Sequence, residues 1–275
     1  LHTWLPDTAA AATPGTSTLL VGVLDKIGTF GIIKICLVVF PESMQWAAPV
    51  IVVWAVVSMI YGALMALNAK DLLRLVSYTS ISHFGFMVFG IFALTTQSLN
   101  GSIFYMLNHG FSTAALFLIV GFMVARRGSA DINAFGGVQK VAPMLAGFFL
   151  LAGLSALSLP GMATFVSEFT VMAGAWQRYP IHTAVITLGM VLAAVYVLRM
   201  YKVTMTGPVT DQVQEKVSTD LSFREKASVF PLIVLLLVLG FFPKPVMDVI
   251  DESSTGFLAV AGVTDPTPQL KEGGR

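Results

Sequence analysis

Residues 143–168 read PMLAGFFLLAGLSALSLPGMATFVSE, an apolar run interrupted at its middle by Leu157-Ser-Leu-Pro-Gly-Met-Ala-Thr164 and followed at once by Glu168. A transmembrane helix needs about 20 mostly apolar residues, and the apolar stretch over 143–178 is too long for one straight crossing. Pro160 removes an amide donor and Gly161 loosens the backbone. Within a bilayer, freed carbonyls are tolerated only against protein or water, so the stretch predicts a broken helix lining a cavity. An ordinary proline kink is the plainer alternative.

Six further spans flank it, near 17–40, 46–68, 75–96, 101–125, 181–204 and 228–247. The composition agrees. Of 275 residues, 56% are hydrophobic and 11% charged, and the mean hydropathy is +0.81. An average soluble domain carries about 25% charged residues, so a soluble surface of this size cannot be coated. The net charge of +1 leaves no field for nucleic acid, and the apolar content excludes disorder. A single cysteine, Cys36, excludes a disulfide scaffold. The fold class is therefore all-α, a polytopic transmembrane bundle of about seven spans including one broken helix. Residues 1–250 form the membrane-embedded domain and 251–275 a polar C-terminal tail. Leu1 opens the chain with no signal-peptide pattern after it, which reads as the C-terminal part of a longer protein.

Seven crossings put successive loops on alternating sides. Ten basic residues then gather on one side, from Lys70 and Arg74 through Arg126, Arg127 and Lys140 to the five between Arg199 and Lys226. Four fall opposite: Arg178, Lys244, Lys271 and Arg275. The positive-inside rule places loops 68–74, 126–140 and 204–227 in the cytoplasm and the C-terminus outside. The last of these loops reads as a solvated connector.

Ionisable residues inside the spans carry the functional signal. A charge near the bilayer centre costs about 2.5–3.5 kcal/mol on insertion scales, so it usually faces a partner or a cavity. Lys26 lies in Leu19-Leu-Val-Gly-Val-Leu-Asp-Lys-Ile-Gly28, and Glu168 lies beside the Pro-Gly break. Asp25 neighbours Lys26, but adjacent residues on a regular helix point about 100° apart and pair poorly. Burial and a nearby carboxylate act on Lys26 in opposite senses, so its protonation can follow its surroundings. His83 and His109 keep small polar company, with Ser77, Thr79, Ser80 and Ser82 near the first and Asn108 and Ser112 near the second. That company suits helix–helix hydrogen bonding as well as a water wire. Asp25 and Lys34 are secondary relay candidates, and Lys34 either extends the path or snorkels to the interface. No glycine-rich nucleotide loop, iron–sulfur or haem ligand cluster, or Ser/His/Asp set is present, so no cofactor or metal is expected in this chain. The residues point to a segment that moves protons or small cations along buried Lys, His and Glu.

Several stretches carry a family resemblance: His2-Thr-Trp-Leu-Pro-Asp7, Gly22-Val-Leu-Asp-Lys26, Tyr78-Thr-Ser-Ile-Ser-His-Phe-Gly85 and Asn108-His-Gly-Phe-Ser112. Leu159-Pro-Gly161 with Phe165-Val-Ser-Glu-Phe169, and Gly240-Phe-Phe-Pro-Lys-Pro-Val-Met-Asp248, extend it over residues 1–250. The chain resembles the subunit M (chain 4) family of NADH-quinone oxidoreductase, respiratory complex I, within the antiporter-like proton-translocating group. The resemblance implies the second half of an inverted-repeat fold, with Lys26 the mid-channel lysine, His83 and His109 bridging histidines, and Glu168 the acid on the second broken helix. It implies proton pumping driven by NADH:quinone electron transfer in partner subunits of the membrane complex, which would hold NADH, FMN, iron–sulfur clusters and quinone. Adjacent antiporter-like subunits and the lipid bilayer are the implied partners, with a bacterial cytoplasmic membrane as the location. Three departures stand out. Thr8-Ala9 replaces the family's Ala-His, Leu73 stands where lysine is common, and Asp25 occupies a usually apolar position. The rival readings are a subunit of a multisubunit Na+/H+ antiporter, driven by ion gradients, and a non-pumping membrane scaffold.

Overall fold

The computed structural model describes residues 2–217 and 219–266. The regular structure among them is helical, apart from one isolated antiparallel bridge between Asp71 and Asp131. A short helix, α1 (Trp4–Ala11), precedes a helical rod over residues 14–39, here α2. Then follow α3 (Pro41–Asn68), α4 (Leu72–Phe92), α5 (Thr96–Arg127), α6 (Pro143–Ala156), α7 (Ala163–Ala175), α8 (Pro180–Met205), α9 (Phe223–Phe241) and α10 (Lys244–Val260).

Helix starts follow local chemistry. Proline takes the first helical position of α3, α6 and α8, where its missing N–H has no intrahelical partner to lose. Asp71 caps α4 by accepting from Arg74 N at 2.9 Å, and Thr95 with Ser98 forms a capping box on α5. Gly128, with φ +74°, ends α5 in the left-handed region.

Each expected span holds helix over most of its length. Four helices, α3, α4, α5 and α8, are each long and apolar enough to cross a membrane. The rod α2 carries two π-helical segments, Leu20–Leu24 and Ile32–Cys36, that divide its run. The stretch over 143–178 is broken rather than kinked: α6 ends at Ala156 and α7 begins at Ala163, with Ser158 at φ +56° and Gly161 at φ +97° between them. Two backbone carbonyls at the break accept hydrogen bonds from side chains, as the bilayer requires of freed polar groups. Thr164 Oγ1 donates to Ser155 O at 2.6 Å, and Asn108 Nδ2 donates to Ala163 O at 3.2 Å.

Two expectations need correction. The last span ends at Phe241, and the chain bends by 75° into α10, so residues 244–247 leave the span expected over 228–247. Residues 251–260, read as the start of a polar tail, complete α10, which lies back on the bundle. Asn100 Nδ2 donates to Asp251 Oδ1 at 2.5 Å and Gln45 Nε2 to Ala261 O at 3.0 Å. Residues 267–275 of that tail lie outside the described residues.

The loop after α8 is also more than a solvated connector. It buries Val213 and Val217, and Asp220 accepts from Met144 N at 2.8 Å and Leu145 N at 2.9 Å, capping α6. Arg126 donates to both Glu225 oxygens at 2.7 Å and also to Phe122 O, Thr219 O and Asp220 O. This bidentate pair is mostly buried, which makes it stronger than a surface ion pair. Arg126→Ala is expected to cost about 1–3 kcal/mol, read as a lower thermal-unfolding midpoint of the purified full-length subunit. An unchanged midpoint would contradict the role.

The helices α4 and α5 occupy the centre and α3 and α8 the flank, with large apolar side chains such as Trp46, Trp54, Leu188 and Val191 facing outward. Close approach of the central helices rests on glycine. A Cβ at Gly85 would lie 2.6 Å from Ala55 O and 2.8 Å from Met59 N, and one at Gly62 would lie 2.6 Å from Ser82 N. Small residues of this kind let helices meet backbone to backbone in a membrane, where hydrophobicity does not drive association.

Candidate functional site

Four helices each deliver one buried ionisable side chain to the interior: Lys26 from α2, His83 from α4, His109 from α5 and Glu168 from α7. The histidines come from the two most enclosed helices, and Glu168 lies in the second turn after the break. The helix after the break thus carries a buried carboxylate into the interior.

Lys26 is 8% exposed. Its ammonium donates to Val21 O and lies 2.9 Å from Asp25 Oδ1. The expectation that Asp25 and Lys26 pair poorly is therefore overturned. Asp25 closes the π segment Leu20–Leu24, where the backbone leaves regular α geometry, and the flexible lysine stem curls back toward the same turn. Neither Asp25 oxygen accepts a hydrogen bond of ordinary geometry.

From Lys26 the next ring is Phe84, its centroid 5.4 Å from Nζ. Phe84 meets His109 edge to face at 5.6 Å, and His109 meets His83 edge to face at 5.2 Å. Tyr105 lies 5.8 Å from the His83 ring and 6.1 Å from the His109 ring, and its hydroxyl donates to Glu168 Oε1. Thr113 Oγ1 is 3.0 Å from His109 Nε2, and Tyr196 OH is 3.4 Å from His83 Nε2. Asn108 fixes the α5–α7 approach by donating to Ser167 Oγ at 2.9 Å. The four residues singled out in the sequence thus share one buried line, with Phe84 between Lys26 and the imidazoles and Tyr105 between the imidazoles and Glu168.

Lys34 does not join this line. It is exposed, and its ammonium lies 4.7 Å over the Phe257 ring of α10, a cation–π contact. Sequence reasoning missed Tyr105, Tyr196 and Phe84. The spacing of Tyr105, Asn108 and His109 was the available signal, since residues three and four apart share a helix face. Tyr196 offered a weaker one, a polar handle inside an apolar run. Among the described residues no group of three or more His, Cys, Asp or Glu is placed to hold a metal ion.

Fold and site together define a multi-pass membrane protein with a buried ionisable axis beside a broken helix. Residues 1–194 match the family described as NADH:quinone oxidoreductase/Mrp antiporter, TM, and the chain belongs to that family. Among its relatives, NADH-quinone oxidoreductase subunit M of Mycobacterium tuberculosis is 50% identical over 269 residues, covering 98% of this chain and 48% of that protein. The Rickettsia prowazekii protein of the same name is 37% identical over 248 residues, covering 90% of this chain and 50% of its own length. The chain therefore spans about half the length of these curated relatives. Respiratory complex I from Thermus thermophilus with bound NADH contains a similar chain, with a TM-score of 0.87, 28% identity, and coverage of 96% of this chain and 55% of that one. The Mrp complex from Dietzia sp. DQ12-45-1b shares the fold, with a TM-score of 0.85 at 20% identity over 95% of this chain and 58% of that one.

Proposed function

We propose that this chain conducts protons within a membrane-arm subunit of an NADH-quinone oxidoreductase, moving them from cytoplasm to exterior. The observation that carries the reading is the continuous buried line from Lys26 through His109, His83 and Tyr105 to Glu168. Each member other than Phe84 can hold, pass or donate a proton, and the cost of burying so many ionisable groups is a common mark of a proton path. The 50% identity to a subunit M supports the assignment to this complex.

In this reading the chain does no redox chemistry. It acts as part of a translocase, whose partner subunits bind NADH, FMN, iron–sulfur clusters and quinone and transfer the electrons. Adjacent antiporter-like membrane-arm subunits are its neighbours, in a bacterial cytoplasmic membrane. Loops 68–74, 126–140 and 204–227 face the cytoplasm and the C-terminus faces out, in line with the basic residues.

Lys26 starts in its pair with Asp25. When partner-driven rearrangement loosens that pair, Lys26 gives up its proton toward His109. The Phe84 ring interrupts the polar line at this step, so passage requires the ring to shift or water to enter beside it. His109 and His83 then hand the proton toward Tyr105 and Glu168. Each charge moved against the membrane potential costs about 2.3 kcal/mol per 100 mV, so the step needs energy from outside the chain.

Lys26→Ala in the full-length subunit is expected to lower NADH-driven proton uptake by inverted vesicles while NADH oxidation by the peripheral arm persists. Unchanged uptake in well-coupled vesicles would remove Lys26 from the path. Uptake that follows a sodium gradient and ignores NADH would favour the reading as a subunit of a multisubunit Na+/H+ antiporter.

A further inference from the structure

Asp25 is buried against Lys26, and its surroundings give it a use. Its side chain is 6% exposed, and both oxygens are buried without hydrogen-bond partners. Asp25 lines a cavity of about 190 Å³ together with His2, Ser58 and Phe84, with its carboxylate oxygens themselves closed to solvent. A water occupies about 30 Å³ in the liquid and needs two to four polar partners; this cavity has room for several, and His2 and Ser58 are the polar side chains besides Asp25 that line it. A second cavity of about 300 Å³ shares His2, Ser58 and Ile81 with the first, and adds Tyr61 and the outward-facing Trp54 and Val57. Between the two, Tyr61 OH lies 2.8 Å from His2 Nε2. Lys26 is the charge in contact with Asp25, and His2 is the other titratable group lining its cavity.

We propose that Asp25 and the cavity beside it form a proton-loading site for Lys26, entered along Tyr61, His2 and Ser58. This rests on the reading of Lys26 as a relay residue. When the Asp25 side chain turns into the cavity, its carboxylate takes a proton from hydronium there, returning water. The carboxylic acid then gives that proton across 2.9 Å to the neutral Lys26 amine, restoring carboxylate and ammonium. One proton enters and no other co-reactant is needed. Phe84 lines the cavity and also contacts both Lys26 and His109, so the same ring borders the loading site and the forward path.

The test uses the whole complex carrying the full-length subunit, with NADH-driven proton uptake and NADH oxidation measured together in inverted vesicles. Asp25→Asn removes the exchangeable proton, and Ser58→Leu fills the cavity while leaving the ion pair in place. Asp25→Glu keeps the acid. The expected result is that Asp25→Asn and Ser58→Leu each lose at least half of the uptake that Lys26→Ala loses, while Asp25→Glu retains most of it. Wild-type uptake in Asp25→Asn and Ser58→Leu, with Lys26→Ala defective, would overturn the loading site and leave Lys26 in the path. Wild-type uptake in Lys26→Ala would overturn the relay reading and the loading site with it. If Asp25→Asn fails to assemble on native gels, Ser58→Leu decides alone.

Discussion

Replacing Glu168 by glutamine is expected to abolish the share of NADH-driven proton uptake carried by this subunit, in a complex that still assembles. Glutamine keeps the volume and keeps an oxygen able to accept from Tyr105, whose hydroxyl now donates to Glu168 Oε1. It loses only the ability to hold and release a proton. A positioned proton-transfer group is worth about 10²–10⁴-fold, so the loss should be near complete for this path. Vesicles carrying the full-length variant would be assayed for uptake alongside a native gel for assembly. Wild-type uptake would make Glu168 a structural acid that joins α7 to α5 through Tyr105.

The largest effect on the fold is expected from Gly85→Val. The missing side chain of Gly85 allows α4 to touch the backbone of α3 at Ala55 and Met59. Two added methyls and a Cβ meet main-chain atoms, which cannot swing aside as a side chain can. Overpacking usually costs about 1–3 kcal/mol, and a clash with helix backbone belongs at or above that upper end. The same contact holds His83 in register, two residues earlier on α4. The expected result is little assembled complex on a native gel, while Gly147→Ala, a position with open space around it, assembles normally. Normal assembly of Gly85→Val would show that α3 and α4 have more freedom than this packing implies.

The large features of the fold were legible because the bilayer writes them into composition. The apolar runs and the Pro160-Gly161 interruption follow from burial cost and backbone satisfaction. Lys26, His83, His109 and Glu168 stood out for the same reason, as residues too costly to bury without a use. The pairing of Asp25 with Lys26 was not legible, because it depends on a π segment that regular helix periodicity does not anticipate. Tyr105 was hidden by its chemistry, since a tyrosine in an apolar helix reads as core until its hydroxyl is seen to reach Glu168. The 75° bend into α10 was missed because Pro243 and Pro245 are compatible with either a tail or a new helix start. The fate of Lys34 followed from that bend, as its partner Phe257 lies on α10.

The central claim is that Lys26 and Glu168 serve one path. Groups acting on a single path are non-additive when removed together, whereas independent groups multiply their losses. The direct test is NADH-driven proton uptake, per NADH oxidised, by inverted vesicles carrying Lys26→Ala, Glu168→Gln or both in the full-length subunit. A double variant no worse than the more defective single variant is the result this account predicts. Losses that multiply, or a double variant that pumps like wild type, would contradict it.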